Sequence, residues 1–365
     1  MNTKMKATCV ACLSILFLAC INTRYSRTDE TEITTNITYL ILGEFAHHGT
    51  SFYDHEVEKN LKELKDDPKD FEARNDLAAA YTKLARYNEA EKEFLLNEEY
   101  HPGKYKTASN LGVLYKKMAR YKDASAEIKK ALALKPGGHM GLGDYYLRMI
   151  DWLQEYPYYV SRDAIPEKNF LGIPYSAKPA EVAANKLVNR KFLETLIKND
   201  YKFADTYVVL GDLLFHKQDF QMALRAYKRA QNLHHPNEKV VYARIEMIHS
   251  HFRNNPREGF VLDFRSSQVD EELISASKWL GKFQEIESSE LKAGRPVDFK
   301  SLRKAAEKAG LKHTKVMNAI QYAGIVIDGK RSSNFIIIGP AVFLILVAVI
   351  LGFFLLRAFG SLRKS

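Results

Sequence analysis

Prolines 68, 102 and 136 are spaced by 34 residues, and the residues between them repeat with the same phase. The segment from Phe71 reads FEARNDLAAAYTKLARYNEAEKEFLLNEEYHP, and the segment from Tyr105 reads YKTASNLGVLYKKMARYKDASAEIKKALALKP. Matching offsets hold Leu77 and Leu111, Ala78 and Gly112, Tyr81 and Tyr115, Ala90 and Ala124, Phe94 and Ile128, and Pro102 and Pro136. A period of this length means a stack of helical hairpins, each too small to bury its apolar face alone. Small residues at 78, 90, 112 and 124 let two antiparallel helices approach, and Tyr81 and Tyr115 fill the wedge between them. Proline closes each unit because it cannot continue an α-helix.

This pattern resembles the tetratricopeptide repeat, with L-G/A-x-x-Y on its first helix and A-x-x-x-F on its second before a closing proline. The resemblance implies an all-α solenoid over 37–252, clearest at 71–104, 105–138 and 204–237, the last carrying Leu210-Gly211, Leu214, Ala223, Tyr227 and Ala230. Residues 37–70 keep Pro68 as a degenerate first repeat. Pro157, Pro166, Gly172, Pro174 and Pro179 mark 157–179 as an irregular insertion. Met140–Tyr156, Ala180–Lys198 and Glu238–Phe252 read as helices, the last covering the end of the stack as solenoids require, and 253–294 reads as a helical linker. The resemblance also implies a concave groove of first helices that holds a protein or peptide partner. Its positions here are Asn75, Thr82 and Lys83, then Lys106, Asn110, Lys116 and Lys117, then Asp212, Phe215 and His216. Asn75 and Ala79 stand where the family's best-known carboxylate clamp has Lys and Asn, so that clamp is not expected.

The two ends differ from the body. Residues 335–356, FIIIGPAVFLILVAVILGFFLL, carry no charge, and 22 residues at 1.5 Å each reach about 33 Å, enough for a hydrocarbon core. The expectation is one C-terminal transmembrane helix followed by a basic tail, 357–365. At the other end Lys4 and Lys6 precede the apolar run Ala7–Ile21, the form of an export signal over 1–20. Phe17-Leu18-Ala19-Cys20 is similar to a bacterial lipobox and makes Cys20 a candidate for lipidation. All three cysteines lie within the first twenty residues, which excludes a disulfide scaffold beyond them. These ends imply a membrane protein whose repeats lie outside the cytoplasm, with the tail inside.

The formal charge is +10, from 54 Lys+Arg and 44 Asp+Glu. Most of the excess is local: 295–331 holds nine bases and three acids, whereas 22–294 is near neutral. Whole-protein nucleic-acid binding therefore does not follow. Beside a membrane span, 295–331 reads as a basic juxtamembrane hairpin near anionic lipid headgroups. Residues 301–331 also resemble a helix-turn-helix, with helices at 301–309 and 313–322, a strand over Gly324–Asp328, and Lys312, His313, Lys315 and Asn318 toward DNA. Glu44-x-x-His47 and Glu246-x-x-His249 have a spacing that puts two ligands on one helix face. No HExxH or cysteine quartet accompanies them, so a metalloprotein using His47 and His249 is the weakest reading. Walker, GxSxG and dinucleotide motifs are absent from the sequence, and no catalytic residue, metal or cofactor is expected. The chain reads as a non-enzymatic membrane-anchored scaffold of the cell envelope; the alternative is a cytoplasm-facing membrane regulator whose 301–331 segment binds DNA.

Overall fold

Helical hairpins stack over most of the chain in a computed structural model, which describes residues 23–24, 36–138, 141–157, 165–254 and 266–316. Fourteen helices are present among the described residues: α1 Ile37–Leu42, α2 Thr50–Asp66, α3 Phe71–Lys83, α4 Tyr87–Tyr100, α5 Tyr105–Lys117, α6 Tyr121–Leu134, α7 Gly143–Glu155, α8 Pro179–Ala184, α9 Arg190–Asn199, α10 Ala204–His216, α11 Phe220–Asn232, α12 Glu238–Asn254, α13 Ser266–Lys292 and α14 Phe299–Lys308. No strand occurs among them; a lone bridge joins Lys168 and Pro174.

The chain divides into two units, one of residues 1–245 with 269–314 and one of 246–268 with 315–365. In the first, each helix from α2 to α7 packs on the next, and α10 pairs with α11. The repeat positions carry this packing. Ala78, Ala90, Phe94, Ala124 and Ile128 have no exposed surface, and a Cβ added at Gly112 would meet Ile128 Cδ1 at 2.5 Å. Asp70 begins α3 by accepting from the Ala73 amide at 2.8 Å, which satisfies one of the helix's orphan donors. Between α3 and α4, and again between α5 and α6, the chain turns through a left-handed alanine, Ala85 (φ 59) and Ala119 (φ 56). Arg86 then lies 4.3 Å over the Tyr81 ring and Arg120 4.2 Å over Tyr115, so the period extends to cation–π contacts.

The degenerate first repeat has a six-residue α1 in place of a full first helix, because Gly43 (φ 78) closes it. The helix expected over Ala180–Lys198 is broken into α8 and α9, with Asn185 extended and Asn189 capping the second piece. Residues 165–178 are irregular, yet they are built into the core. Asn169 Oδ1 accepts from the amides of Leu171 and Ile173 at 3.0 and 3.1 Å. The Phe170 amide and the Tyr175 hydroxyl donate to Asp205 of α10 at 2.6 and 2.7 Å.

The segment expected as a linker is not one over its second half. Within the first unit, Trp279 and Phe283 of α13 pack with Phe299, Leu302 and Ala306 of α14, and Glu272 forms a buried ion pair with Arg225 of α11 at 2.7 Å. In the second unit, His249 Nε2 and Ser266 Oγ are 3.0 Å apart.

The helix-turn-helix reading is corrected in its described part. Residues 313–316 are not helical. His313 instead stacks on Tyr39 and Trp279, with ring centroids 4.6 and 5.0 Å apart, and its Nδ1 lies 2.6 Å from the buried Glu44 carboxylate. The Thr314 amide donates to the same carboxylate at 3.0 Å. Asn318 and the strand expected over Gly324–Asp328 lie outside the described residues, as do the leader with Cys20, the apolar run 335–356 and the tail 357–365. Among the described residues, no helix is long and apolar enough to cross a membrane.

Candidate functional site

The expected groove positions separate into two kinds. Asn75, Thr82, Asn110 and Asp212 are buried and hydrogen-bonded inside the fold. Asn110 Nδ2 donates to Asn75 Oδ1 at 2.9 Å and so ties α5 to α3, while Thr82 Oγ1 donates to the Ala78 carbonyl of its own helix at 2.9 Å. Asp212 accepts from the Tyr227 hydroxyl and from Arg244 Nε, both at 2.7 Å. Burial raises its carboxyl above the ordinary range, and Arg244 and Tyr227 oppose that. A carboxylate spent on two internal donors at once is holding α11 and α12 to α10.

Lys106 is ion-paired with Glu72 of the preceding repeat. Phe215 is half-buried in an edge-on contact with Phe220, with centroids 5.1 Å apart, and His216 is exposed. Lys83, Lys116 and Lys117 are brought together, and a residue that sequence reasoning passed over gathers them. Asp200, the cap after α9, is ion-paired with Lys116 and also feels Lys117 and Lys83. Burial by itself would raise the Asp200 carboxyl, but the three lysines overcome it and hold it below the usual carboxylate range.

Lys202, two residues on, is the fourth cation. Aromatic rings floor the cluster: Lys116 Nζ is 5.3 Å from the Tyr146 ring centroid and Lys202 Nζ 5.8 Å from that of Tyr201. Tyr201 lies against His47 and Phe45, at 4.6 and 5.9 Å between centroids. His47 is held near a pKa of about 4 by burial first; its hydrogen bond to the Phe45 carbonyl works the other way, and Lys83, His48 and Lys202 add to the lowering. It is neutral at pH 7 and serves as wall. His47 Nδ1 lies 2.9 Å from the Phe45 carbonyl and Glu44 faces His313, so the 44/47 pair does not converge. Among the described residues, no group of three or more His, Cys, Asp or Glu could hold a metal ion.

Lys117 defines the shape of the place. Its side chain is exposed to solvent, yet surrounding protein lowers its pKa to about 8, with Lys116, Lys83 and Lys202 adding to the effect and Asp200 opposing it. Lys117 thus reaches solvent while being crowded by neighbouring protein and by like charge. Lysines at the ends of α3 and α5 are favoured by the helix dipoles, and crowding here outweighs that preference at Lys117.

Residues 105–137 match the family model of the tetratricopeptide repeat. No curated protein matches the chain. The matched repeat and the consecutive helical hairpins around it support a tetratricopeptide repeat protein. Proteins of this kind are typically non-enzymatic scaffolds that bind protein or peptide partners.

Proposed function

We propose that the protein is a non-catalytic, membrane-anchored tetratricopeptide scaffold of the cell envelope, with its repeats outside the cytoplasm. The observation that carries the scaffold role is the match at 105–137 on helices that stack in register with 71–104. The charge-free run 335–356 supports the anchor, and the basic, then apolar, leader supports export. Cys20 would be the lipidated residue if the leader is cleaved as a lipoprotein signal, and the bases of 295–331 would lie near anionic headgroups. The span would hold the repeats at the membrane and raise the effective concentration of whatever assembles on them. Lys83, Lys116 and Lys117 are the groove residues in position for a partner. Lys106, Phe215 and His216 would flank it, and Asn75, Thr82, Asn110 and Asp212 would shape the helices beneath. DNA reading through 301–331 is the weaker account, since His313 is turned onto Glu44.

Protease digestion of intact spheroplasts tests the proposal. The repeats are expected to be degraded while a cytoplasmic marker survives. Repeats protected until lysis would reject the exported orientation.

A further inference from the structure

Three ammonium groups, those of Lys83, Lys116 and Lys117, bear on one carboxylate, Asp200, with Lys202 as a fourth cation beside Lys117 and the rings of Tyr146 and Tyr201 against Lys116 and Lys202. Lys83 and Lys117 occupy the same position of successive repeats, 34 residues apart. They end α3 and α5, which touch directly and whose axes stand about 8–10 Å apart by ordinary helix packing. An extended chain advances about 3.3 Å per residue, so acidic side chains two or three residues apart match that step. A single compact anion does not. The chain itself shows what the place accepts: Asp200 is on the lysines, and Tyr201 beside it is on His47 and Phe45.

We propose that this lysine cluster is a binding site for an extended acidic peptide segment of the partner, and that Asp200 is an internal placeholder competing for the same ammonium groups. The inference rests on the scaffold reading and gives its partner a chemistry. Lys83 and Lys117, exposed and drawn to a carboxylate already ion-paired with Lys116, take the incoming carboxylates together with the exposed Lys202. Two further consequences separate ligand binding from structure. Removing the Asp200 charge frees Lys116 and tightens binding, whereas a purely structural Asp200 would only lower stability. Lys117 loses its proton above about pH 8, so affinity falls as pH rises from 7 to 9.5. The groups facing Lys117 are Asp200, Lys116, Lys83 and Lys202, with Tyr146, Tyr201 and His47 in the floor and wall. Asp200 is ionised and His47 neutral across that range, so the fall belongs to the lysines.

The test titrates the full chain in detergent with hexaglutamate, using hexaglutamine as the uncharged control. Hexaglutamate alone is expected to bind, at least tenfold more weakly to Lys83→Gln and Lys117→Gln and unchanged to Lys129→Gln on α6. Asp200→Asn is expected to bind severalfold more tightly, and Lys117→Arg, always charged, to bind at pH 7 and to lose most of the fall toward pH 9.5. Equal binding of the two peptides, or equal weakening by the Lys129 change, overturns the site. So does displacement of hexaglutamate by submillimolar inorganic phosphate or short-chain phosphatidylglycerol, which would assign a compact anion or a lipid headgroup. Failure here with repeats exposed on spheroplasts rejects the site alone; protected repeats reject the orientation whatever the peptide does.

Discussion

The two regular hairpins, 71–134, and the irregular stretch 165–245 are both packed without a β-sheet, but different chemistry holds them. In the hairpins the core is mostly small and apolar, its buried polar side chains such as Asn75 and Asn110 bond to one another across repeats, and the outer ion pairs also step from one repeat to the next: Arg120 to Glu91 at 2.6 Å, Lys130 to Glu98 at 2.8 Å. In the irregular stretch charged groups sit inside. Asp205 and His235 are fully buried, and Asp205 receives the Phe170 amide, the Tyr175 hydroxyl and, at 3.0 Å, His235 Nε2. Asp212 joins Tyr227 to Arg244 two turns away. Repeats spread stability over nearest-neighbour interfaces, so no single polar side chain there should be decisive. A loop without periodicity has no such interfaces to share, and its backbone amides must find partners in a few buried side chains.

The largest effect should come from breaking the second region at its hub. Asp205→Ala orphans the buried Phe170 amide, leaves the Tyr175 hydroxyl with only His235 Nε2 at 3.2 Å, and should cost about 3–5 kcal/mol, read from urea denaturation followed by Trp152, whose indole donates to the Lys168 carbonyl at 2.7 Å. Asn110→Ala, the corresponding cut between regular repeats, should cost about 1–2 kcal/mol. Equal losses would mean that the contrast between shared and concentrated stability is wrong.

Acid should strain the irregular side first. His47, against Tyr201, has its pKa lowered to about 4, below the unfolded value of ~6.5. The unfolded chain therefore binds the extra proton between those values. Stability is full above pH 6.5 and falls by on the order of 2–3 kcal/mol as pH drops to 4. His47→Phe should flatten this slope. Both tryptophans lie outside 71–134, so an unaltered fluorescence midpoint between pH 7 and 4.5 would count against the buried imidazole.

Next in size is a pair of glycines at one repeat position. A Cβ at Gly211 would meet Tyr227 Cε1 at 2.4 Å, and that ring is fixed by its hydroxyl on Asp212. At Gly112 the obstacles are Ile128 Cδ1 and Cγ1, at 2.5 and 2.6 Å, and the Ala124 carbonyl oxygen at 3.3 Å, and the repeat at 71–104 already carries Ala78 there. Gly211→Ala should cost about 1–3 kcal/mol by overpacking, whereas Gly112→Ala should cost less, because a shift of the Ile128 side chain relieves most of its crowding and a helix-propensity gain of about 1 kcal/mol offsets part of the rest. Matched thermal melts would show whether the ring is as rigid as its hydrogen bond implies.

What could be read in advance follows the same division. Leu77, Ala78, Tyr81, Ala90 and Phe94 revealed α3 and α4 because their contacts recur at a fixed offset, and Lys83, Lys116 and Lys117 were visible as neighbours on successive first helices. Asp200 and Lys202 were not. They reach those lysines across more than 80 residues, after an insertion that has no period. Nor could α13 be recognised as core: its Glu272 and Glu287 look solvated until Arg225 and His48 are found beside them. A carboxylate's burial depends on a partner that spacing does not disclose. His235, next to a proline and apparently a turn residue, carried no signal for Asp205.

The smallest effect tests whether the third repeat still obeys the rule of the first two. Ala85, Ala119 and Gln218 hold the same repeat position, with φ of 59, 56 and 62. Each follows a first helix whose closing bonds are alike, from Arg86, Arg120 and Asp219 amides to the Tyr81, Tyr115 and Leu214 carbonyls at 2.9, 2.9 and 3.0 Å. A left-handed residue with a Cβ costs about 1–2 kcal/mol, and glycine recovers that less the ~0.5–1 kcal/mol its freer unfolded chain takes back. Ala85→Gly and Ala119→Gly should therefore each stabilise by about 0.5 kcal/mol, a rise of a degree or so in the thermal midpoint. Gln218→Gly should match them if the turn is set by the hairpin alone. A smaller gain at 218 would mean that the inserted loop before α10 has altered how the third hairpin closes, so that this repeat shares the character of the irregular stretch it lies in.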